Sequence, residues 1–211
     1  MICYIVGALP CKPQFSPKTD DLVIAADKGI EYLIDCGIRI DVALGDFDSV
    51  GVELPNVKTV KYPVIKDNTD TDLAIEYGKA LGYKTFVIYG CIGGRFDHTF
   101  ANIGLLNKFT TQGLKLFFVD GENVIFAITK GKVSFSENCS GIVSIFSLCE
   151  KSFGVTETGL LYELNNYELV FGTSLGVSNE FVGKPSEISV DNGCIMVYTK
   201  WQNLLDSSFS L

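Results

Sequence analysis

The sequence predicts an α/β domain, a mostly parallel sheet with flanking helices of the Rossmann-like kind, followed by an antiparallel β-sandwich. From Met1 to about Asp120, apolar runs of strand length alternate with segments of helical periodicity, the pattern of a parallel sheet covered by helices. After Asp120 the apolar period falls to two and glycines recur too closely for helices, which indicates antiparallel strands with one wet face. The 211 residues suffice for two small domains. The junction lies near Gly121 to Gly131, so the expected domains are 1–125 and 126–211.

In the first half the strand-length runs are Ile2 to Val6, Leu22 to Ala26, Val42 to Leu44, Val57 to Val60, Thr85 to Tyr89 and Leu116 to Val119. A helix capped by Asp27 buries Ile30, Leu33 and Ile34 and ends at Gly37. A second begins near Thr69 with Leu73, Ala74, Tyr77, Ala80 and Leu81 as its inner face. A third starts at Asp97, burying Phe100, Ile103 and Leu106, before Gly113 closes the connection. In the second half, alternation in Val133-Ser134-Phe135, Val143-Ser144-Ile145 and Ile188-Ser189-Val190 marks strands. Asp191-Asn192-Gly193, between Ile188-Ser189-Val190 and Cys194 to Tyr198, predicts a hairpin.

Composition excludes several functions. Hydrophobic residues at 47% and charged residues at 20% describe a folded globular chain. The net charge of −8, with no cluster of Lys or Arg, leaves no electrostatic footprint for nucleic acid or an anionic membrane. An anionic substrate would then need a carboxylate-bound divalent cation to attract it. Seven scattered cysteines without a C-x-x-C pair argue against a disulfide framework and a zinc site, and a reducing cytoplasm follows. The apolar start from Ile2 to Leu9 lacks a basic region and stops at Pro10, so it reads as a buried strand and not a signal peptide. No apolar run approaches bilayer-spanning length.

Four stretches carry the chemistry. Val42-Ala43-Leu44-Gly45-Asp46-Phe47-Asp48-Ser49 is a short buried strand that releases two carboxylates at its carboxyl end, where open α/β sheets bind ligands. Residues i and i+2 of an extended segment point the same way about 7 Å apart, which suits Mg²⁺, a cation that takes one or two carboxylates and completes its shell with water and phosphate. A surface turn is the plainer reading of Gly, Asp and Ser together. Lys66-Asp67-Asn68-Thr69-Asp70-Thr71-Asp72 places acids at a helix entry. Capping accounts for Thr69 and Asp72 and leaves Asp67 and Asp70 over, with Asp70 the expected third metal ligand. Asp67 and Thr69 are expected on the substrate side.

Tyr89-Gly90-Cys91-Ile92-Gly93-Gly94-Arg95-Phe96-Asp97-His98 runs from a strand through a glycine-rich turn into a helix. Glycines let the backbone approach a phosphate, a helix amino terminus supplies free N–H groups, and Arg95 adds a planar fork of donors. Gly93, Gly94, Arg95, Asp97 and His98, the one histidine, are the expected nucleotide contacts. Asp27-Lys28-Gly29 ends the second strand similarly, with Asp27 either a helix cap or, with Lys28, a nucleotide contact. In the second half, Ser174-Leu175-Gly176-Val177-Ser178-Asn179-Glu180-Phe181 is either a substrate loop or a β-turn.

Taken together, these stretches resemble the thiamine pyrophosphokinase (thiamine diphosphokinase) family. Gly45-Asp46-Phe47-Asp48-Ser49 is similar to its acidic signature, Asp67 to Asp72 to its second acidic block, Gly93-Gly94-Arg95-Phe96-Asp97-His98 to its Gly-Gly-Arg-x-Asp-His segment, and Ser178-Asn179 to the Ser-Asn of its C-terminal domain. The resemblance implies a nucleotide-binding α/β domain, a thiamine-binding β-sandwich and a homodimer with active sites between subunits. It implies transfer of pyrophosphate from ATP to the thiamine hydroxyl, giving thiamine diphosphate and AMP. Asp46, Asp48 and Asp70 would hold Mg²⁺, Arg95 and His98 would meet the triphosphate, and Ser178 with Asn179 would contact thiamine from the partner subunit. Asp46 or Asp72 would accept the hydroxyl proton. Animal members stack a tryptophan on the pyrimidine near the end of the last hairpin; this chain has Val197 and Tyr198 there and its one tryptophan at Trp201.

Two other functions compete. Asp46-Phe47-Asp48-Ser49 also resembles the D-x-D motif of haloacid-dehalogenase-like Mg²⁺-dependent phosphatases, in which the first Asp is a nucleophile. A non-enzymatic nucleotide-sensing module is the third reading.

Overall fold

The computed structural model describes residues 1–47, 50–52, 56–61 and 68–208. Asp48, Ser49 and Asp67 lie outside the described residues. The chain is mixed α/β and divides into two compact units, one of residues 1–105 with 118–121, the other of 106–117 with 122–211.

The first unit holds five parallel strands, β1 (Cys3–Val6), β2 (Leu22–Ala26), β3 (Val42–Gly45), β4 (Lys58–Lys61) and β5 (Thr85–Tyr89), in the spatial order β5-β1-β2-β3-β4. β1, β2 and β3 are buried along their whole length, as strands covered on both faces must be. Helices α1 (Gly29–Asp35) and α2 (Asp70–Ala80) pack on β1 and β2. Helix α3 (Phe96–Thr110) follows β5, and β6 (Lys115–Asp120) carries the chain toward the second unit.

The helix faces follow the periodicity at Ile30, Leu33, Ala74 and Leu106 and depart from it elsewhere. On α2 the buried positions are Thr71, Asp72, Ala74, Ile75 and Gly78, while Leu81 is 55% exposed. Gly78 sets this rotation, because a Cβ there would stand 2.7 Å from the Phe86 ring and 2.9 Å from the Cys3 sulfur. Small residues face the sheet so that the helix lies close to it, and the larger Leu73 and Tyr77 flank the contact half-buried. On α3 the buried face is Asn102, Leu105, Leu106, Phe109 and Thr110, with Phe100 60% exposed. On α1, Ile30 and Leu33 are buried and Ile34 is exposed.

At the amino ends of the strands Arg39 is a clamp. Its guanidinium donates to Asp41 Oδ1 at 3.2 Å and to the carbonyls of Pro17 (3.0 Å), Lys18 (2.8 Å) and Asp21 (2.6 Å). The Asp41 carboxylate it joins also accepts from Val23 N–H, and the Asp21 carboxylate, beside the carbonyl it binds, accepts from Ile2 and Lys18 N–H. One planar fork thereby fixes the entries to β1, β2 and β3.

The second unit is antiparallel: β7 (Asn123–Phe135), β8 (Ile142–Ser147), β9 (Lys151–Thr158), β10 (Leu164–Val170), β11 (Asn179–Glu180) and β12 (Ser186–Lys200), with a short helix α4 (Trp201–Leu205). The order β10-β9-β12-β7 is continuous, and β8 pairs with β11 and with the second half of β12. The expected hairpin at Asp191-Asn192-Gly193 is absent. Instead β12 runs through these residues without reversing, paired to β7 on both sides. Val190 faces Gly131 and Cys194 faces Thr129, so three residues of β12 stand against Lys130 alone. The Asp-Asn-Gly sequence that suits a reversal serves here as a bulge, with Gly193 at φ +100°. The bulge divides the partners of β12, with β9 paired up to Asn192 and β8 from Ile195 onward.

Replacing Arg39 by Ala removes donors to three carbonyls and is expected to cost about 1–3 kcal/mol of stability in urea unfolding, with the strand content of the native baseline unchanged. A loss within error would show that the clamp is dispensable.

Candidate functional site

β1 and β5 are neighbours, yet the chain leaves β1 toward β2 on one side and returns to β5 on the other. Connections that diverge in this way open a crevice at the carboxyl ends of the strands, the usual ligand position in such sheets. A cleft of about 250 Å³ lies there, lined wholly by residues of the first unit. Its floor is Gly7 after β1 and Gly90 with Cys91 after β5. Gly7 N–H donates to the Tyr89 carbonyl at 2.8 Å and Leu9 N–H to the Gly90 carbonyl at 3.0 Å. The two segments touch so closely that a Cβ on Gly7 would fall on the Cys91 sulfur, and one on Gly90 would lie 2.8 Å from the Leu9 carbonyl oxygen.

Asp27 forms one wall. It does not cap α1, contrary to the sequence expectation: Lys28 holds the cap position and makes no side-chain cap bond. Asp27 instead adopts φ +49°, donates its N–H to the Leu44 carbonyl at 2.9 Å and lays its carboxylate against Gly45, where a Cβ would collide with it. Asp46 follows Gly45 directly and is half-buried. The left-handed turn at Asp27 therefore brings one carboxylate to the root of the loop that carries another.

The amino end of α2 supplies Thr69, Asp70 and Thr71 to the cleft. Thr69 caps the helix, its hydroxyl accepting from Asp72 N–H at 3.2 Å. Asp72 is buried, accepts from Asn68 Nδ2 at 2.8 Å and does not line the cleft. Asp70 sits in the first helical turn, half-buried.

Opposite stands the glycine-rich turn. Gly93 (φ +92°) and Gly94 (φ +61°) are both left-handed, and the Thr99 hydroxyl binds the N–H and carbonyl of Gly93, each at 3.0 Å. Arg95 and His98 line the cleft from exposed positions. Arg95 forks onto Asp97, Nη2 to Oδ2 at 2.6 Å and Nε to Oδ1 at 3.2 Å. The guanidinium hydrogen bond draws the Asp97 carboxyl down to about 2, so Asp97 orients Arg95 as an anion.

Sequence reasoning missed Asn102, which is buried in the cleft wall and donates Nδ2 to the Cys91 carbonyl at 2.7 Å. That bond ties α3 to the turn after β5. The signal was a polar amide among apolar residues at helical spacing, obscured by choosing the face of Phe100. Burial pushes the Cys91 thiol up to about 12, which makes it a packing group and not a nucleophile.

In the second unit Ser178 is exposed at φ +58°, its N–H donating to Ser144 Oγ at 2.9 Å. Asn179 is buried and its amide is engaged throughout: Oδ1 accepts from Tyr162 and Glu180 N–H, both at 2.9 Å, and Nδ2 donates to the Tyr162 carbonyl at 2.6 Å. Residues 174–178 form a turn, closed by Val177 N–H on the Ser174 carbonyl. Among the described residues no group of three His, Cys, Asp or Glu side chains stands in metal-holding geometry; Asp48 lies outside them.

Gly45→Ala is expected to destabilise the chain by about 1–3 kcal/mol in urea unfolding, and Asp27→Ala in the same chain to recover part of that loss by removing the collision. Strict additivity of the two changes would contradict the contact.

Residues 16–118 match the thiamin pyrophosphokinase catalytic domain and residues 130–195 the thiamin pyrophosphokinase vitamin B1 binding domain. The chain is 31% identical over 194 residues to thiamine pyrophosphokinase of Bacillus subtilis (strain 168), covering 88% of this chain and 91% of that one. It is 27% identical over 183 residues to thiamin pyrophosphokinase 1 of Caenorhabditis elegans, covering 79% and 73%. Its fold superposes on the crystal structure of thiamin pyrophosphokinase from Geobacillus thermodenitrificans with a TM-score of 0.82 at 27% identity, over 95% of this chain and 97% of that one. With both halves matched in order, the chain belongs to the thiamine pyrophosphokinase family.

Proposed function

We infer that the protein is a thiamine diphosphokinase: it transfers the pyrophosphoryl group of ATP to the hydroxyl of thiamine, releasing AMP. Family membership supports this reaction and gives no support to the phosphatase or the sensing module. The observation that carries the reading is the cleft between the carboxyl ends of β1 and β5, which has carboxylates on one side and Arg95 with His98 on the other.

The chemistry asks mainly for positioning. The thiamine hydroxyl oxygen bonds to the β-phosphorus as the bond from that phosphorus to the α,β-bridging oxygen breaks, the oxygen leaves with AMP and the hydroxyl proton goes to a carboxylate. Asp46, at the root of the loop beside Asp27, takes that proton in this reading; Asp72, the other carboxylate expected from the sequence, is buried, accepts from Asn68 and does not line the cleft, so it holds the helix entry instead. Arg95 spends Nε and Nη2 on Asp97 and keeps Nη1 for a phosphate oxygen. His98, one helical residue beyond Asp97, Lys28 beside Asp27 and the backbone of Gly93 and Gly94 complete the triphosphate side. Asp67 and Thr69 flank the substrate, and Ser178 and Asn179 present the second unit to thiamine, Asn179 by holding the turn.

The donor set on the acidic side is all oxygen, and the bare Gly45 leaves room for Asp27 next to Asp46, so the residues fit a small hard cation. Asp46, Asp48 and Asp70 would hold Mg²⁺. When bound, the ion would neutralise charge on the phosphates and orient them for in-line attack.

The α/β half, residues 1–125, is read as a Rossmann-like nucleotide and metal domain. The remainder, 126–211, is read as a β-sandwich, with the bulge in β12 sharing that strand between two layers. It would bind thiamine and form a homodimer whose active sites lie between subunits. Exposed apolar side chains around its turn, Leu161 (49%), Tyr162 (66%) and Phe171 (60%), support an interface. All seven cysteines are free thiols and no described helix is long and apolar enough to cross a membrane, in keeping with a cytoplasmic site.

Incubation with thiamine, ATP and Mg²⁺ is expected to give thiamine diphosphate and AMP by mass spectrometry; ADP with thiamine monophosphate would mean attack at the γ-phosphorus and would overturn the reading. Asp46→Asn or Asp48→Asn should lower turnover by at least ~10²-fold with an unchanged melting temperature, and near-normal activity would remove the metal role.

A further inference from the structure

Glu157 is a buried carboxylate to which the reaction assigns no task. It lies on β9 opposite Leu164 of β10 and Ile188 of β12, with no exposed surface. Asn179 Nδ2 donates to its Oε1 at 3.5 Å, the outer limit of a hydrogen bond, and its Oε2 is buried with no hydrogen-bond partner among the described residues. The charged groups of the surrounding elements are engaged elsewhere or exposed. On β12, Glu187 binds Lys132 Nζ at 2.8 Å and accepts from Ser134 Oγ at 2.9 Å. On β10, Glu168 binds Lys151 at 2.7 Å; in the turn before it Glu163 accepts from Gly159 N–H at 2.7 Å, and Tyr162 there and Glu180 on β11 are exposed.

The amide that meets Glu157 is the same one that pins the turn. Asn179 spends its oxygen on two backbone N–H groups and its nitrogen on the Tyr162 carbonyl and Glu157, and next to it Ser178 is held in a left-handed conformation that serine seldom adopts unaided. Any movement of Glu157 is therefore felt at Ser178 through one residue. We propose that Glu157 is a positioning residue for the substrate: through Asn179 it holds the Ser178 corner in the shape that receives thiamine. This rests on the reading of that turn as the thiamine-binding loop.

The support has a sign with pH. Burial pushes the Glu157 carboxyl up to about 7. Neutral, it sits in the apolar layer at small cost and its carbonyl oxygen meets Asn179. Ionised, it holds a charge inside the layer with one long hydrogen bond, a state relieved by drawing in water or turning outward. Either movement takes Oε1 from Asn179. Because the folded-state value lies above the ordinary glutamate value of 4.5, the contribution of Glu157 to folding is complete below about 4.5 and is lost as pH rises through about 7. The substrate corner follows the same course, firm below neutrality and looser above it.

Steady-state kinetics of the full chain with thiamine, ATP and Mg²⁺ between about pH 6 and about pH 8.5 test this. The wild type should show KM for thiamine rising at least ~5-fold across the range, with kcat and KM for ATP changing far less. Glu157→Gln, which keeps the shape and cannot ionise, should retain the low-pH KM throughout, and Glu157→Ala should raise KM at every pH. A rise of equal size in wild type and Glu157→Gln, or no rise in the wild type, overturns the role of Glu157 and leaves the enzymatic reading intact. Absence of thiamine turnover at any pH overturns both. Should Glu157→Gln fold poorly, hydrogen exchange at the Ser178, Asn179 and Glu180 amides of the wild type reads the same event: protection lost above neutrality supports it, and protection independent of pH contradicts it.

Discussion

The contact between the turns after β1 and β5 is the constraint on which the first unit depends. Gly7 and Gly90 meet backbone to backbone, with no room for a side chain on either. That approach lets two neighbouring strands end together while their connections depart in opposite directions, and the cleft is the space the departing connections leave. Side chains from the ends of β2, α2 and α3 then converge without a special arrangement of their own, since each lies at the same edge of one sheet. A β-carbon at either glycine would push the floor apart and shift Arg95 and Asp70 relative to each other.

Charge is divided across this cleft in a way that the net charge of −8 conceals. The acidic side is formed by Asp27 and Asp70, each at an element end, and the cationic side by Arg95, steadied by Asp97. A triphosphate needs both sides. An acidic surface alone would repel it, which is the electrostatic reason for a guanidinium fork facing the cleft.

Much of this was legible in the sequence. The parallel strands were readable because strands buried on both faces are written as unbroken apolar runs, as in Ile2 to Val6 and Leu22 to Ala26. The family followed from four short motifs in order. Helix faces were read poorly: Leu73, Ala80 and Leu81 were expected inside α2 because they are apolar, but close packing on the sheet placed Gly78 and Thr71 there. Asp191-Asn192-Gly193 has the residues of a tight reversal, and only the pairing with β7 on both sides reveals a bulge. Asn102 and Glu157 were overlooked since a polar residue in an apolar pattern looks like surface until its burial is known. Glu157 did leave a trace, as it shares the inward side of the alternation Val155-Thr156-Glu157 with Val155.

Occupancy of the cleft by nucleotide is the claim from which the mechanism follows. A crystal structure with thiamine, Mg²⁺ and an ATP analogue carrying a methylene bridge between the α- and β-phosphorus, which cannot release AMP, tests it most directly. The account predicts the triphosphate between the Gly7 and Gly90 turns, with Arg95 on a phosphate oxygen and the ion on the acidic side. A nucleotide bound elsewhere, with this cleft empty or filled only by solvent, would contradict it.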